Sequence, residues 1–168
     1  ELGLFRNSST LPEKATSELR LVTSCVSSPR EFNSDHGSAK ILVADDSLMI
    51  RKSISRVLHN EGLSVDLAEN GQMALEMMGL KRYDLVLMDL QMPVMDGLEA
   101  VRRLRQQESD FGGVYHQKVI GISAYTGEPY SSDALRAGMD GFIEKPFSAQ
   151  RFMELCEEHG ISLNKFSN

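Results

Sequence analysis

From Lys40 onward, short apolar runs alternate with stretches whose apolar residues recur at helical spacing, the pattern of β-α units around a parallel sheet. Five runs are strand-like: Ile41-Leu42-Val43-Ala44, the alternating Val65-Asp66-Leu67-Ala68, Leu85-Val86-Leu87-Met88, Val119-Ile120-Gly121-Ile122 and Gly141-Phe142-Ile143-Glu144. The first predicted helix follows Asp46, carries Ile50, Ile54, Val57 and Leu58 at offsets of four, seven and eight, and stops at Gly62. Arg51, Lys52, Ser55 and Arg56 form its polar face. A second runs from about Met73 to Leu80 with a core stripe of Ala74, Leu75, Met77 and Met78, and a third from about Leu98 to Gln107. Asp110 to Gln117, with Gly112-Gly113, reads as a connecting loop. A fourth helix, Ser131 to Ala137, ends at Gly138, and a fifth, about Ala149 to His159, ends at Gly160. The expected fold class is α/β, with five strands and five helices in strict alternation.

Residues 1–38 hold eleven Ser or Thr, two Pro and no regular apolar period, which is linker composition. The predicted organisation is a Ser-rich linker or flexible leader over 1–38, one domain over 39–160 and a tail over 161–168. A chain that opens on Glu rather than Met is expected to be a piece of something longer.

Charge removes several function classes. With 18 basic and 24 acidic residues and a pI near 5.2 there is no blanket cationic surface, so nucleic-acid binding is not expected. No apolar stretch approaches the roughly 20 residues that span a bilayer, and no signal segment opens the chain, so a cytoplasmic location is expected. Cys25 and Cys156 have neither metal-ligand spacing nor a disulfide framework, and Cys156 reads as a core residue.

The chemistry concentrates where the strand-like runs end. The first run meets Asp45-Asp46, the third meets Asp89, the fourth meets Ser123 and the fifth delivers Lys145-Pro146. Open parallel α/β sheets bind ligands at the carboxyl ends of their strands, so these endings predict one site. Each piece alone has a plainer reading: Asp-Asp is commonly a cap or turn, and Lys-Pro a loop. Together, three carboxylates would repel one another without a cation, and oxygen-only ligands suit a hard ion such as magnesium. Asp89 would then be a carboxylate nucleophile toward phosphorus, with Lys145 and the Ser123 hydroxyl on phosphate oxygens. Arg102, Arg103 and Arg105 read as a solvated helix face rather than a phosphate site.

Three blocks, Ile41-Leu42-Val43-Ala44-Asp45-Asp46-Ser47, Met88-Asp89-Leu90-Gln91-Met92-Pro93-Val94-Met95-Asp96-Gly97 and Ala137-Gly138-Met139-Asp140-Gly141-Phe142-Ile143-Glu144-Lys145-Pro146-Phe147, resemble the receiver domain of two-component response regulators. The resemblance spans Lys40 to about His159 and implies a doubly wound, flavodoxin-like five-stranded parallel sheet of order 2-1-3-4-5. It makes Asp89 the acceptor of phosphate from a phosphohistidine. Asp46, Asp89 and the backbone carbonyl of Gln91 would bind Mg2+ (or Mn2+) directly, and Asp45 through a coordinated water. Ser123 and Lys145 would hold phosphoryl oxygens, and Lys145-Pro146 would be a cis peptide. Phe142, where Tyr is commoner, would follow Ser123 inward and reshape the face of helix four, strand five and helix five. Gln91 and Tyr125 would tune phosphate lifetime, the Tyr125 ring by restricting attacking water.

The acceptor loop, the Asp110–Gln117 insertion and the Ala137-to-Gly141 block further resemble receivers of hybrid histidine kinases. That implies a histidine kinase as donor, a histidine phosphotransfer protein as acceptor, and a place in the cytoplasmic portion of a larger sensor kinase. Dimerisation on phosphorylation stays open. The module would be a relay rather than a turnover enzyme. A haloacid-dehalogenase-type phosphatase needs a second acid two residues past the nucleophile, where this chain has Gln91. A flavodoxin-like FMN site would need a phosphate-cradling loop where Asp45-Asp46 stands. A receiver-like binding scaffold that takes no phosphate is the remaining alternative.

Overall fold

A computed structural model describes residues 38–124 and 130–160. The expected leader over 1–38 (its last residue excepted), the tail over 161–168 and Tyr125 lie outside the described residues. Within them the order is β1 (Lys40–Ala44), α1 (Leu48–Asn60), β2 (Ser64–Ala68), α2 (Gly71–Leu80), β3 (Leu85–Asp89), α3 (Gly97–Asp110), β4 (Val119–Ser123), α4 (Tyr130–Ala137), β5 (Gly141–Glu144) and α5 (Ala149–Glu158). All strand pairs are parallel, in the order β2-β1-β3-β4-β5.

The apolar runs explain the order. β3 and β4 are buried along their whole length, as is β1 after Lys40, because both faces of the central sheet are covered; such strands read as continuous Val, Ile and Leu. The edge strands β2 and β5 are only partly buried. Alternation splits the core in two. Leu42, Ala44, Val86, Met88 and Val119 face one layer with Ala74, Ala100, Val101 and Leu104, while Ile41, Val43, Leu85, Leu87, Ile120 and Ile122 face the other with Leu58, Phe152 and Leu155. Cys156 is fully buried in the second layer.

Polar side chains start the helices. Ser47, Asn70, Asp96 and Ser148 each accept a backbone N–H from the first turn of α1, α2, α3 and α5. Two helical positions depart from the sequence expectation. Arg51 is not on the polar face of α1: it shares the buried face with Ile54 and Leu58, and its guanidinium donates to the Asp45 carbonyl. Arg105 is not solvated with its neighbours. It donates to the Gly138 carbonyl at 2.8 Å and the Gln117 carbonyl at 3.0 Å, and pairs with Glu108 at 2.8 Å and Asp140 at 3.0 Å. α3 also runs on to Asp110, beyond the expected Gln107. The Lys145–Pro146 peptide is cis. Among the described residues no helix is long and apolar enough to cross a membrane.

Candidate functional site

Strand register brings the site residues to one edge. Ala44 is opposite Met88, so Asp45 and Asp89 follow side by side. Asp89 is opposite Ile122, and Ser123 is opposite Glu144, which precedes Lys145. Four chain segments far apart in sequence thus end together, at the edge where parallel sheets place ligands.

Asp45 is fully buried, Asp89 is 7% exposed and Asp46 is exposed. One carboxylate oxygen from each of the three lies within 4.8 Å of the others. The Lys145 ammonium bridges two of them, 2.7 Å from Asp45 Oδ2 and 2.8 Å from Asp89 Oδ2. The Ser47 N–H donates to Asp45 Oδ1 at 2.8 Å, and the Gln91 N–H to Asp89 Oδ1 at 3.4 Å. Asp45 is therefore held at both ends, its side chain by Ser47 and Lys145 and its carbonyl by Arg51.

The electrostatics follow from burial. Desolvation pushes the Asp89 carboxyl above the usual range, with the Asp45 charge adding to it, and Lys145 and the Gln91 N–H offset only part of this. Burial alone would lower Lys145, but its bonds to Asp45 and Asp89 outweigh that and raise it, so the amine stays an ammonium. The oxygen-only donors fit a hard divalent cation: two buried carboxylates share one ammonium, and the exposed Asp46 adds a third.

Ser123 is 4% exposed. Phe142 is opposite Gly121, two residues before Ser123, so its ring lies on the same face of the sheet as the Ser123 side chain. Gly121 makes the room, since a Cβ there would stand 3.3 Å from Phe142 Cδ2 and 2.8 Å from Met139 Sδ. Gln91 is exposed on the loop after β3. Tyr125 lies outside the described residues.

Sequence reasoning missed Arg51. Its signal was present: Arg51, Ile54 and Leu58 stand at offsets of three and seven, one helix face. It also missed Tyr130 and Asp133, which line a cleft beside the site together with Asp46, Gln91 and Asp96.

Known proteins are similar in sequence and in fold. The family model of the response regulator receiver domain matches residues 41–157. Hybrid signal transduction histidine kinase I of Dictyostelium discoideum is 32% identical over 121 residues, 69% of this chain and 7% of that protein. Response regulator MprA of Mycolicibacterium vanbaalenii is 34% identical over 114 residues, 68% of this chain and 47% of that protein. The chain thus spans less than half the length of these relatives. Among solved structures, the receiver domain of sensor histidine kinase PA1611 from Pseudomonas aeruginosa, with magnesium coordinated in its active site cleft, is similar at a TM-score of 0.65 and 28% identity, covering 73% of this chain and 97% of that one. With β2-β1-β3-β4-β5 order, acids at the ends of β1 and β3, and a family match that takes in both, this chain belongs to the response regulator receiver domain family.

Proposed function

We propose that this receiver accepts a phosphoryl group from a protein phosphohistidine onto Asp89. The observation that carries the reading is the placement of the Asp89 carboxylate: nearly buried, clustered with Asp45 and Asp46, and bonded to Lys145. An Asp89 oxygen attacks phosphorus as the bond to the imidazole nitrogen breaks, and the electron pair stays on that nitrogen, which takes up a proton. An acyl phosphate on Asp89 results. Mg2+ or Mn2+, held by Asp46, Asp89 and the Gln91 carbonyl with Asp45 in support, would neutralise charge on the phosphoryl oxygens. Lys145 keeps a second positive charge beside the same oxygens, and the Ser123 hydroxyl donates to a third. Positioning and charge are most of what such a transfer requires.

The phosphorylated domain then shifts the α4–β5–α5 face through Ser123 and Phe142, or hands the group to a histidine phosphotransfer protein. The first is a population shift driven by contacts that only the phosphoryl form makes. Similarity to hybrid kinases supports a cytoplasmic relay module with a histidine kinase as donor, and a domain over 39–160 joined to further segments. Gln91 and Tyr125 set how long the acyl phosphate lasts; Tyr125→Ala shortens its half-life, and an unchanged half-life sinks that role.

The test is residue mapping. The whole chain, incubated with Mg2+ and a phosphorylated histidine phosphotransfer protein or a small phosphoryl donor, gains one phosphoryl group that peptide mass spectrometry places on Asp89. Modification elsewhere, or equal modification of Asp89→Asn, overturns the proposal.

A further inference from the structure

Beside Asp89, between the loop after β3 and the first turn of α4, opens a cleft of about 650 Å³. Its rim carries three carboxylates, Asp46, Asp96 and Asp133, and its apolar part includes Met92, Leu98 and Tyr130. No Lys or Arg is among its described lining residues, and Lys145 is engaged by Asp45 and Asp89. Asp96 is fixed in place because its Oδ1 caps α3, accepting from the Glu99 N–H at 2.7 Å. The Asp133 side chain is 44% exposed, and its ion pair among the described residues is a long one, 3.7 Å, with the far more exposed Arg136. Such a pair neutralises little.

We infer that Asp133, with Asp96, selects the phosphodonor by charge, disfavouring small fully ionised donors and favouring a phosphohistidine presented with basic side chains beside it. This rests on the proposed acceptor role of Asp89. A cation at the acid cluster offsets Asp46 and Asp89, but Asp96 and Asp133 stand outside that cluster, on the wall of the cleft that opens beside it. Their field reaches across the cleft, since screening in ordinary buffer takes roughly 8–10 Å. A free dianion entering there meets two negative charges that the helix N-termini beside them offset only in part. A donor held on a protein meets them with its own Lys or Arg, so the repulsion becomes attraction and fixes orientation as well. Asp133 also suits the first turn of α4, where an acid complements the helix dipole. A purely structural role of that kind responds neither to donor charge nor to salt in the phosphorylation rate.

The experiment compares acetyl phosphate, a dianion at neutral pH, with phosphoramidate, which carries one negative charge less. The whole chain with Mg2+ is followed by intact-mass spectrometry at about 20 mM and about 500 mM salt. Asp133→Asn is expected to raise the second-order rate with acetyl phosphate by about two- to fivefold at low salt, and Asp133→Lys by more. The gain disappears at high salt and is smaller with phosphoramidate. An unchanged rate at low salt, or the same change with both donors at both salt levels, overturns the inference while leaving Asp89 as acceptor. Failure of the wild-type chain to take a phosphoryl group from either small donor and also from a phosphorylated histidine phosphotransfer protein overturns the acceptor reading and this inference with it.

Discussion

Gly97 lies so close beneath Asp89 that a Cβ added to it would stand 2.0 Å from the Asp89 carbonyl oxygen. The first residue of α3 therefore packs directly on the backbone of the acceptor strand. Asp96 caps the helix and Gly97 lets it approach, so the Asp96-Gly97 pair joins the end of β3 to the start of α3. Gly97→Ala should cost at least about 3 kcal/mol, the upper end for overpacking, because the atom in the way is main chain. Gly79, exposed within α2 with nothing within 4 Å of a built Cβ, is the control. Gly79→Ala should stabilise by about 0.5–1 kcal/mol. Urea unfolding midpoints of the two variants check both signs.

Arg105 ties three segments together at the opposite edge of the sheet, with carboxylates of Glu108 and Asp140 and carbonyls of Gln117 and Gly138 around one guanidinium. Arg105→Ala leaves two mostly buried carboxylates without that cation and should cost about 3 kcal/mol. Arg102→Ala, whose only pair among the described residues is with Glu99 at 3.8 Å between exposed side chains, should change stability by less than about 0.5 kcal/mol. The two unfolding curves, measured side by side, separate a structural arginine from a solvated one.

Val94 holds a φ of 69°, and the Met95 N–H donates to the Pro93 carbonyl across it at 2.8 Å. This is a three-residue turn with a β-branched residue in the left-handed region, a strained combination. The turn drives Met95 into the core, where its carbonyl accepts the Gly71 N–H at 2.9 Å. Because the Val94 side chain is exposed, Val94→Gly loses little packing and should stabilise by about 1 kcal/mol. A lowered urea midpoint would contradict the strain.

The Cys156 thiol is pushed up to about 12 by burial, with the neighbouring Glu157 charge adding to it. Its folded value lies above its ordinary value of 9.0, so its contribution to stability is intact below pH 9 and is lost as pH rises toward 12. Burial raises the Tyr83 phenol as well, and the sign is the same. In Cys25→Ser, where Cys156 is the remaining thiol, labelling by a disulfide reagent at pH 8 should be slow in the native protein and fast in urea. Fast native labelling would mean the α5 packing opens readily.

The sequence made the sheet legible because β1, β3 and β4 are covered on both faces and so spell unbroken apolar runs. The site was legible for a related reason: each run stops on a polar residue at the same edge. The arginines were not. An Arg within a helical period reads as solvated unless its partners are known, and those of Arg105 include Asp140, 35 residues away. The segment before β4 is the loop the sequence predicts, but its packing was not legible, for the same cause. Its Gln117 is buried and bonds the Tyr83 backbone at 2.9 Å and 3.2 Å, a contact set by tertiary packing rather than by any local pattern.

In the proposed function Asp89, its acid neighbours and Lys145 act together as one phospho-switch. It is tested most directly by an amide NMR titration of the whole chain with magnesium and beryllofluoride, a phosphoryl mimic, with Asp89→Asn as control. Saturable shifts are expected at Asp89, Ser123 and Lys145 that spread to Phe142 and α4 and vanish in the variant. Shifts with magnesium alone, and none on adding beryllofluoride, would contradict it and leave a metal-binding scaffold without a switch.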